Sequence, residues 1–254
     1  MILKSLALVA LLVIASIIMA IGNQAGRQRQ ASDTIFSRQA STLAERVQDA
    51  RQQGKNRVVF PAPIGIPFHV KSLSEAFDNF QVLVVQPISQ ESYPQGDSDI
   101  VTWHRLKVID DLSHANARQT SHQELEGLLP RNIALQDIGN DEVLVRQAGG
   151  ILNIDGITLI QETDRFPLLS IHQRYLLFLS RSRSEKIASM ELGPDGVLAI
   201  DQKGQLSPLV EHEHPVNNEI RQSYGSSLTR LKAKIPLKLH WPGMVLLQMV
   251  VGGD

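Results

Sequence analysis

The N-terminal segment constrains this chain most, because it contains an apolar stretch long enough to cross a lipid bilayer as a helix. A single lysine, Lys4, precedes an unbroken run of apolar and small residues from Ser5 to Gly22. A helix needs roughly 20 such residues to cross the hydrocarbon core. The run is also longer than the apolar region of a usual cleaved signal peptide. We therefore expect residues 1–24 to form a transmembrane anchor or a signal segment, with residues 5–22 in the membrane.

Two further features bear on the fate of this segment and on the side where the rest of the chain lies. A cleavage point after Ala20 would place Ile18 where a small residue is usual, which favours an uncleaved anchor. The positive charges on the two sides are nearly balanced, with Lys4 before the run and Arg27 and Arg29 after it. Because an N-terminal anchor or signal peptide usually exports the remainder of its chain, we expect the body outside the cytoplasm. We expect the protein to be membrane-anchored, or secreted if the N-terminal segment is cleaved.

The polar stretch after this segment carries the pattern of a helix. Residues 32–54 begin with a serine and an aspartate that can cap a helix, and they end at a glycine that can stop one. We therefore predict a juxtamembrane helix over residues 32–54. An apolar stripe along this helix either binds a partner helix or packs on the protein's own β domain. The apolar repeat is short for a coiled coil, which favours packing on the domain. Apolar residues recur at helical spacing along one narrow stripe: Phe36, Ala40, Leu43 and Val47.

The middle of the chain, residues 57–210, has the sequence pattern of a small β domain. It opens with a proline-rich stretch, which predicts an irregular or edge segment. A short helix is predicted where Ser72 and Glu75 stand at capping-box spacing. Several short strands with turns between them begin at Phe80, and this spacing argues for a barrel-like or sandwich domain. The predicted fold class is therefore mainly β, with an N-terminal transmembrane helix, a juxtamembrane helix and a short C-terminal helix.

Three parts of this domain allow more detailed predictions. The segments FQVLVVQPIS and DIVTWHRLKVID read as two strands joined by the turn YPQGDSD. Two further strands are expected around Gly149 and Gly150. The segment HQRYLLFLSRS is strongly apolar without alternation, which predicts a strand that is buried on both faces.

Five segments in the middle of the chain occur in a suggestive order. They are SLSEAFDNFQVLVVQPIS, DIVTWHRLKV, GGILNIDGITL, FPLLSIHQRYLLFL and GPDGVLAI. In this order they resemble a group of uncharacterised bacterial secreted or membrane-anchored proteins, over roughly Ser72 to Leu209. The resemblance implies a small all-β, barrel-like domain in an exported protein. It implies no catalytic residues.

Residues 211–254 are predicted to contain a loop, a short helix and an apolar tail. The helix is expected in SSLTRLKAKI, with Leu228, Leu231 and Ile235 on its apolar face. The tail, residues 236–254, contains only eight consecutive largely apolar residues, MVLLQMVV, which are too few to span a membrane.

The stretch VEHEHPVNNE contains the most suggestive pattern of metal-binding residue types in the chain. If it is a strand, His212 and His214 share one face, which is a two-ligand start for zinc or another transition metal. A catalytic site needs at least a third protein ligand, and His104 is the best remote candidate. The alternative is a solvated connection before the C-terminal helix, and the proline and the two asparagines after the histidines favour it.

Composition and motifs narrow the expected function. A formal net charge of −1 gives no electrostatic reason to expect a nucleic-acid partner, and the chain has no cysteine for a disulfide or a thiolate. No serine elbow and no phosphate-binding glycine loop is present. We therefore predict no catalytic and no cofactor-binding residues. The expected function is non-enzymatic binding in the cell envelope, with another envelope protein or a structural surface as partner. The alternatives are a metal-dependent hydrolase that uses His212 and His214, and a structural domain with no ligand.

Overall fold

A computed structural model shows that the chain is mainly β, with two sheets and few helices. No helix of the described residues is long and apolar enough to cross a membrane. The expected membrane span at residues 5–22 and the apolar tail at 236–254 lie outside the described residues. The structure describes residues 34–36, 41–62, 69–113, 125–163, 166–181, 186–190, 192–210 and 213–234.

Eleven strands and four α-helices are assigned in this part of the chain. The helices are α1 Leu43–Gln52, α2 Leu73–Asn79, α3 Pro215–Tyr224 and α4 Leu228–Lys234. Short 3-10 turns span Leu125–Leu128, Leu135–Asp137 and Gly193–Gly196. The strands are β1 Thr34–Phe36, β2 Arg57–Pro61, β3 Gln81–Gln95, β4 Asp99–Asp111, β5 Glu142–Ala148, β6 Gly150–Ile154, β7 Ile157–Glu162, β8 Arg174–Arg181, β9 Ile187–Ser189, β10 Val197–Ile200 and β11 Leu206–Pro208.

The chain divides into two compact units, and the strands β3, β4 and β5 contribute residues to both. Unit 1 comprises Met1–Ile64, Ser92–Thr102 and Ala148–Asp164. Its sheet has four strands in the order β1-β2-β7-β6, and α1 packs on one face of it. The core between helix and sheet is apolar: Leu43, Val47, Ala50, Val58, Phe60, Ile100, Ile157 and Leu159.

The helix predicted over residues 32–54 was wrong in its first half, because α1 begins only at Leu43. A capping box fixes this start: Thr42 Oγ1 accepts from the Glu45 N–H, and the Glu45 carboxylate accepts from the Thr42 N–H. Residues Thr34–Phe36 instead form β1, which pairs in parallel with β2. β2 was expected to be irregular or an edge, but it lies between β1 and β7.

The Gly-Gly segment separates β5 from β6, and a second turn comes after β6, so that the region holds three strands rather than the two predicted. Gly149 has a φ of +87° and Gly150 a φ of +153°, which favour glycine. The second turn is Asp155-Gly156, with φ values of 51° and 81°. Two residues with positive φ between paired strands define a type I′ hairpin turn, for which Asp-Gly is a preferred sequence.

A chain of two hydroxyl groups holds the Gly-Gly bend. The Ile151 N–H donates to Ser92 Oγ over 3.1 Å, and Thr102 Oγ1 donates to the Gly149 carbonyl over 2.7 Å. Because the only Thr102 hydroxyl proton is used there, Ser92 must be the donor in its 2.9 Å bond to Thr102 Oγ1. The hydroxyl chain therefore runs in one direction, from the Ile151 N–H through Ser92 and Thr102 to Gly149.

Unit 2 comprises Gly65–Glu91, Trp103–Gln147 and Arg165–Asp254. Its sheet has the order β11-β10-β8-β3-β4-β5-β9, and β9 pairs with β8 as well as with β5. The pairings therefore return to β8 and form a five-strand ring of β8, β3, β4, β5 and β9. An interior cluster receives apolar side chains from every one of these strands: Leu83, Val85, Leu106, Val143, Val145, Tyr175, Leu177, Leu179 and Ala188.

The strand β8 confirms the prediction of burial on both faces. Its alternate residues Leu176 and Phe178 belong to a second core cluster that also contains residues of α2, α3 and α4. The short helices predicted in SLSEAFDN and SSLTRLKAKI are confirmed as α2 and α4. The Ser72 side chain caps α2 by accepting from the Glu75 N–H, and Leu228 and Leu231 of α4 are buried.

We expect Gly150→Ala to destabilise the protein, because the added Cβ would lie 2.5 Å from Ser92 Oγ and would also overlap Thr102 Oγ1. The expected loss is about 2 kcal/mol or more in the free energy of unfolding, measured by urea denaturation. Gly127→Ala is the matched control, since a Cβ there meets nothing within 4 Å. Equal unfolding midpoints for the two variants would contradict this account of the bend.

Candidate functional site

The sheet face of unit 1 that lies opposite α1 carries an apolar row across all four strands. The pairing registers place Phe36 beside Val59, Val59 beside Ile160, and Ile160 beside Ile151. The two inner residues are buried, whereas Phe36 is 73% exposed and Ile151 is 56% exposed. Among the described residues these are the two most exposed large apolar side chains. The apolar row therefore ends in an exposed residue on each outer strand.

Polar residues flank the apolar row. The neighbouring row across the sheet is entirely polar, by the same registers: Thr34, Arg57, Thr158 and Asn153. On the other side Pro61 pairs with Glu162, which is exposed. The row is therefore exposed at its two ends, Phe36 and Ile151, and has a polar rim on both sides.

The outer edge of β6 adjoins the exposed end of the apolar row. Ile154 and Ile157 flank a two-residue turn, so they form a pair that exchanges both main-chain hydrogen bonds. Alternation then directs the N–H and C=O groups of Leu152 toward β7, and those of Ile151 and Asn153 away from it. The Thr158 N–H agrees with this alternation, because it donates to the Asn56 carbonyl on the side of β7 that faces away from β6.

The predicted helix stripe is divided between different environments. Leu43 and Val47 are buried in the core that α1 forms with the sheet of unit 1, which agrees with the alternative of packing on the protein's own domain. Phe36 lies on β1 and not on a helix, so it does not continue that stripe. Ala40 lies outside the described residues.

One member of the predicted metal pair, His214, lies at the start of a helix that the sequence did not predict. His214 is the N-cap residue of α3, and Pro215 is its first residue, where the fixed φ and the missing N–H of proline are tolerated. His214 is 5% exposed, and His212 lies outside the described residues. Among the described residues no group of three or more side chains is placed to hold a metal ion. The metal pair stays a prediction.

His104, the predicted remote ligand, is fully buried in unit 2 and belongs to a polar network. Its Nε2 lies 2.9 Å from Gln147 Oε1, while Gln147 Nε2 donates to the carbonyls of Phe166 and Pro167. Since the amide nitrogen is used by two carbonyls, the amide oxygen faces the imidazole and His104 Nε2 must carry the proton. Burial lowers the pKa of His104 to about 4, although the bond to Gln147 opposes this shift. His104 is therefore neutral at pH 7.

Comparisons with known proteins do not assign the chain to a family. No protein-family model matches the chain, and no curated protein matches it either. The resemblance described from the sequence therefore stays an expectation.

Sequence reasoning missed the residues that form the β6 edge. The Asp-Gly pair flanked by isoleucines is a strong hairpin signal, and it would have located β6 and β7. Alternation from that turn would then have directed the main-chain groups of Asn153 outward. The contribution of Ser92 could not be found, because Ser92 lies 59 residues from Ile151 in the chain.

We expect the stability of the protein to fall between pH 6.5 and pH 4 because of His104. In this range the unfolded chain protonates His104 at its ordinary pKa of 6.5, whereas the folded chain does so only near pH 4. A pKa difference of this size lowers the free energy of unfolding by about 3 kcal/mol as the pH falls through this range. The measurement is urea denaturation at a series of pH values.

His104→Gln should reduce this pH dependence, since glutamine does not titrate and can still donate a hydrogen bond to Gln147. His69→Gln is the matched control, because it makes the same substitution at an exposed histidine. Parallel pH profiles for the wild type and both variants would contradict the assignment to His104.

Proposed function

We propose that the protein is a non-enzymatic binding module of the cell envelope. Residues 5–22 anchor it in the membrane, the body lies outside the cytoplasm, and its partner is another envelope protein. The observation that carries the proposal is the apolar row of unit 1, whose end residues Phe36 and Ile151 are exposed although the rest of the row is buried. Burial of these side chains by a partner would be favourable, because each removes apolar surface from water.

A protein partner suits this surface better than a lipid one. The exposed end at Ile151 adjoins main-chain N–H and C=O groups that point away from the sheet, and a polypeptide can satisfy such groups. The polar rim includes Arg57 on one side and Glu162 on the other, so the surface is not uniformly basic. An anionic membrane surface would favour a basic face.

Unit 2 is proposed to be a closed five-stranded barrel that serves as the structural body. All five strands of the ring contribute to one interior cluster, which supports closure. The network of His104 and Gln147 ties the segment at Phe166 and Pro167 to the ring. This arrangement has the character of a packed core and gives no reason to expect an internal binding site.

The binding proposal is tested by in-cell crosslinking of the tagged full-length chain, followed by mass spectrometry. We expect one envelope protein to be enriched with the wild type and to be lost when both Phe36→Asp and Ile151→Asp are introduced. The matched control is Ile109→Asp with Leu128→Asp, since these apolar residues are also exposed but belong to unit 2. Thermal unfolding of each variant confirms that it is folded.

Two results would count against the binding proposal. One is the same captured protein, at the same yield, from the wild type and from the Phe36 and Ile151 pair. The other is the absence of any envelope protein from the wild-type sample.

The anchoring proposal predicts that the N-terminal segment remains on the mature protein. Intact mass measurement of the protein from the membrane fraction should then show a chain that still contains residues 1–24. The body should be digested by a protease added to the extracytoplasmic side of the membrane. The mass of a chain that begins just after Ala20 would show cleavage and secretion instead. Protection of the body from the protease would contradict the proposed orientation.

A further inference from the structure

We propose that residues 166–173 form a strap that acid releases: it opens from one end of the five-strand ring when His104 is protonated, while the ring itself stays paired. The strap directly precedes β8 and belongs, like His104, to unit 2. None of its residues lies in a helix or a strand. The inference does not rest on the proposed binding function, because it concerns unit 2 alone.

The strap closes the end of the ring at which β8 begins. Its residue Leu169 is fully buried and belongs to the interior cluster, and Phe166 packs against the same cluster. Tyr175, which pairs with Val85 of β3, marks this end of the ring. The Tyr175 hydroxyl accepts from the Ser170 N–H over 2.9 Å. The strap therefore places one apolar side chain inside the ring.

The strap is held by a few separate hydrogen bonds and not by a strand ladder. Gln147 Nε2 donates to its first two carbonyls, over 3.1 Å and 3.0 Å. At its other end, the His172 carbonyl accepts from Gln86 Nε2, and the His172 N–H donates to the Pro87 carbonyl. His172 also has a φ of +67°, which is unfavourable for a residue other than glycine. A segment held in this way opens at a lower free energy than paired strands do.

His104 is connected to the strap through Gln147. It alternates with Leu106 on β4, so it faces the interior of the ring. Its Nε2–H donates to Gln147 Oε1, and the same amide holds the strap through its nitrogen. In the described part of the chain, His104 Nδ1 has no hydrogen-bond partner. Protonation would add to this enclosed site both a positive charge and an N–H without an acceptor.

The described groups around His104 do not compensate such a charge. Among the side chains on the interior face of the ring, Tyr175 is the other one that titrates, and it is neutral at pH 7. Arg105 and Arg146 alternate with the interior positions of β4 and β5, so they point out of the ring. The strap itself contains one titratable side chain, the exposed His172. Water is therefore what must reach the imidazolium, and opening of the strap admits it without loss of a ladder.

The direction of the pH dependence follows from the two states of the strap. Burial lowers the pKa of His104 to about 4 when the strap is closed, whereas a hydrated imidazole titrates at its ordinary 6.5. Between these values the open state binds more protons than the closed state, so opening becomes easier as the pH falls from 6.5 to 4. The ratio of open to closed molecules should rise on the order of 50-fold from about pH 7.5 to about pH 4.5.

The test uses thiol labelling of the full-length chain, which contains no cysteine of its own. Leu169→Cys places a thiol in the strap, and Leu177→Cys is the matched control in β8, since both leucines are fully buried in the interior cluster. The labelling rate with a dipyridyl disulfide is divided by the rate for the same variant unfolded in urea at the same pH. This ratio reports how often each thiol is exposed.

We expect the ratio for Leu169→Cys to rise on the order of 50-fold from about pH 7.5 to about pH 4.5. At the lower pH it should exceed the ratio for Leu177→Cys about tenfold or more, because the ring stays paired. Equal ratios for the two thiols would overturn the strap, since it would then open only together with the ring. Amide exchange of His172, compared with the amides of β8 in the unsubstituted chain, makes the same comparison without a change in the core.

Two further substitutions assign the pH dependence to His104. Combined with Leu169→Cys, His104→Gln should abolish the rise in labelling, because glutamine does not titrate and still donates to Gln147. His172→Asn is the matched control: it removes the histidine of the strap, and asparagine tolerates a positive φ. The rise should remain in this control. A rise that persists in His104→Gln, or that disappears in His172→Asn, would overturn the role of His104.

Discussion

The hydrogen bond from the Ile151 N–H to the Ser92 hydroxyl is the interaction on which the proposed site depends. It belongs to a one-way chain that continues through Thr102 to the Gly149 carbonyl and holds the Gly-Gly bend. The bend ends β5 and starts β6, so it determines where the hairpin of unit 1 begins. It also removes one donor from the β6 edge.

The two units have different balances of burial and exposure. The five-strand ring of unit 2 buries side chains from all its strands, and even its polar pair of His104 and Gln147 is enclosed. Unit 1 covers one sheet face with α1, but its outermost strands carry the exposed residues Phe36 and Ile151. We therefore expect the stability of the protein to depend mainly on the buried networks, and we propose that recognition uses the smaller sheet.

The sequence predicted those elements whose cause is local. The capping serine at 72, the apolar run of β8 and the two apolar residues of α4 each act within one turn or one strand, and these predictions are confirmed. The start of α1 could have been read from Thr42 and Glu45, but the apolar stripe that included Phe36 extended the predicted helix too far. Phe36 belongs to β1 because β2 pairs with it, and such pairing has no local signature. The β6 edge depends on Ser92, which no spacing along the chain could reveal.

The measurement that tests the account most directly is amide hydrogen exchange of β6 in the full-length protein, resolved residue by residue. The alternation assigned to β6 predicts that the amides of Leu152 and Ile154 are protected by β7 and that the Ile151 amide is protected by Ser92. The Asn153 amide should exchange at the rate of an unpaired group, and Ser92→Ala should release the Ile151 amide alone. An Asn153 amide as protected as its neighbours would mean that the edge is already occupied, which would contradict the account.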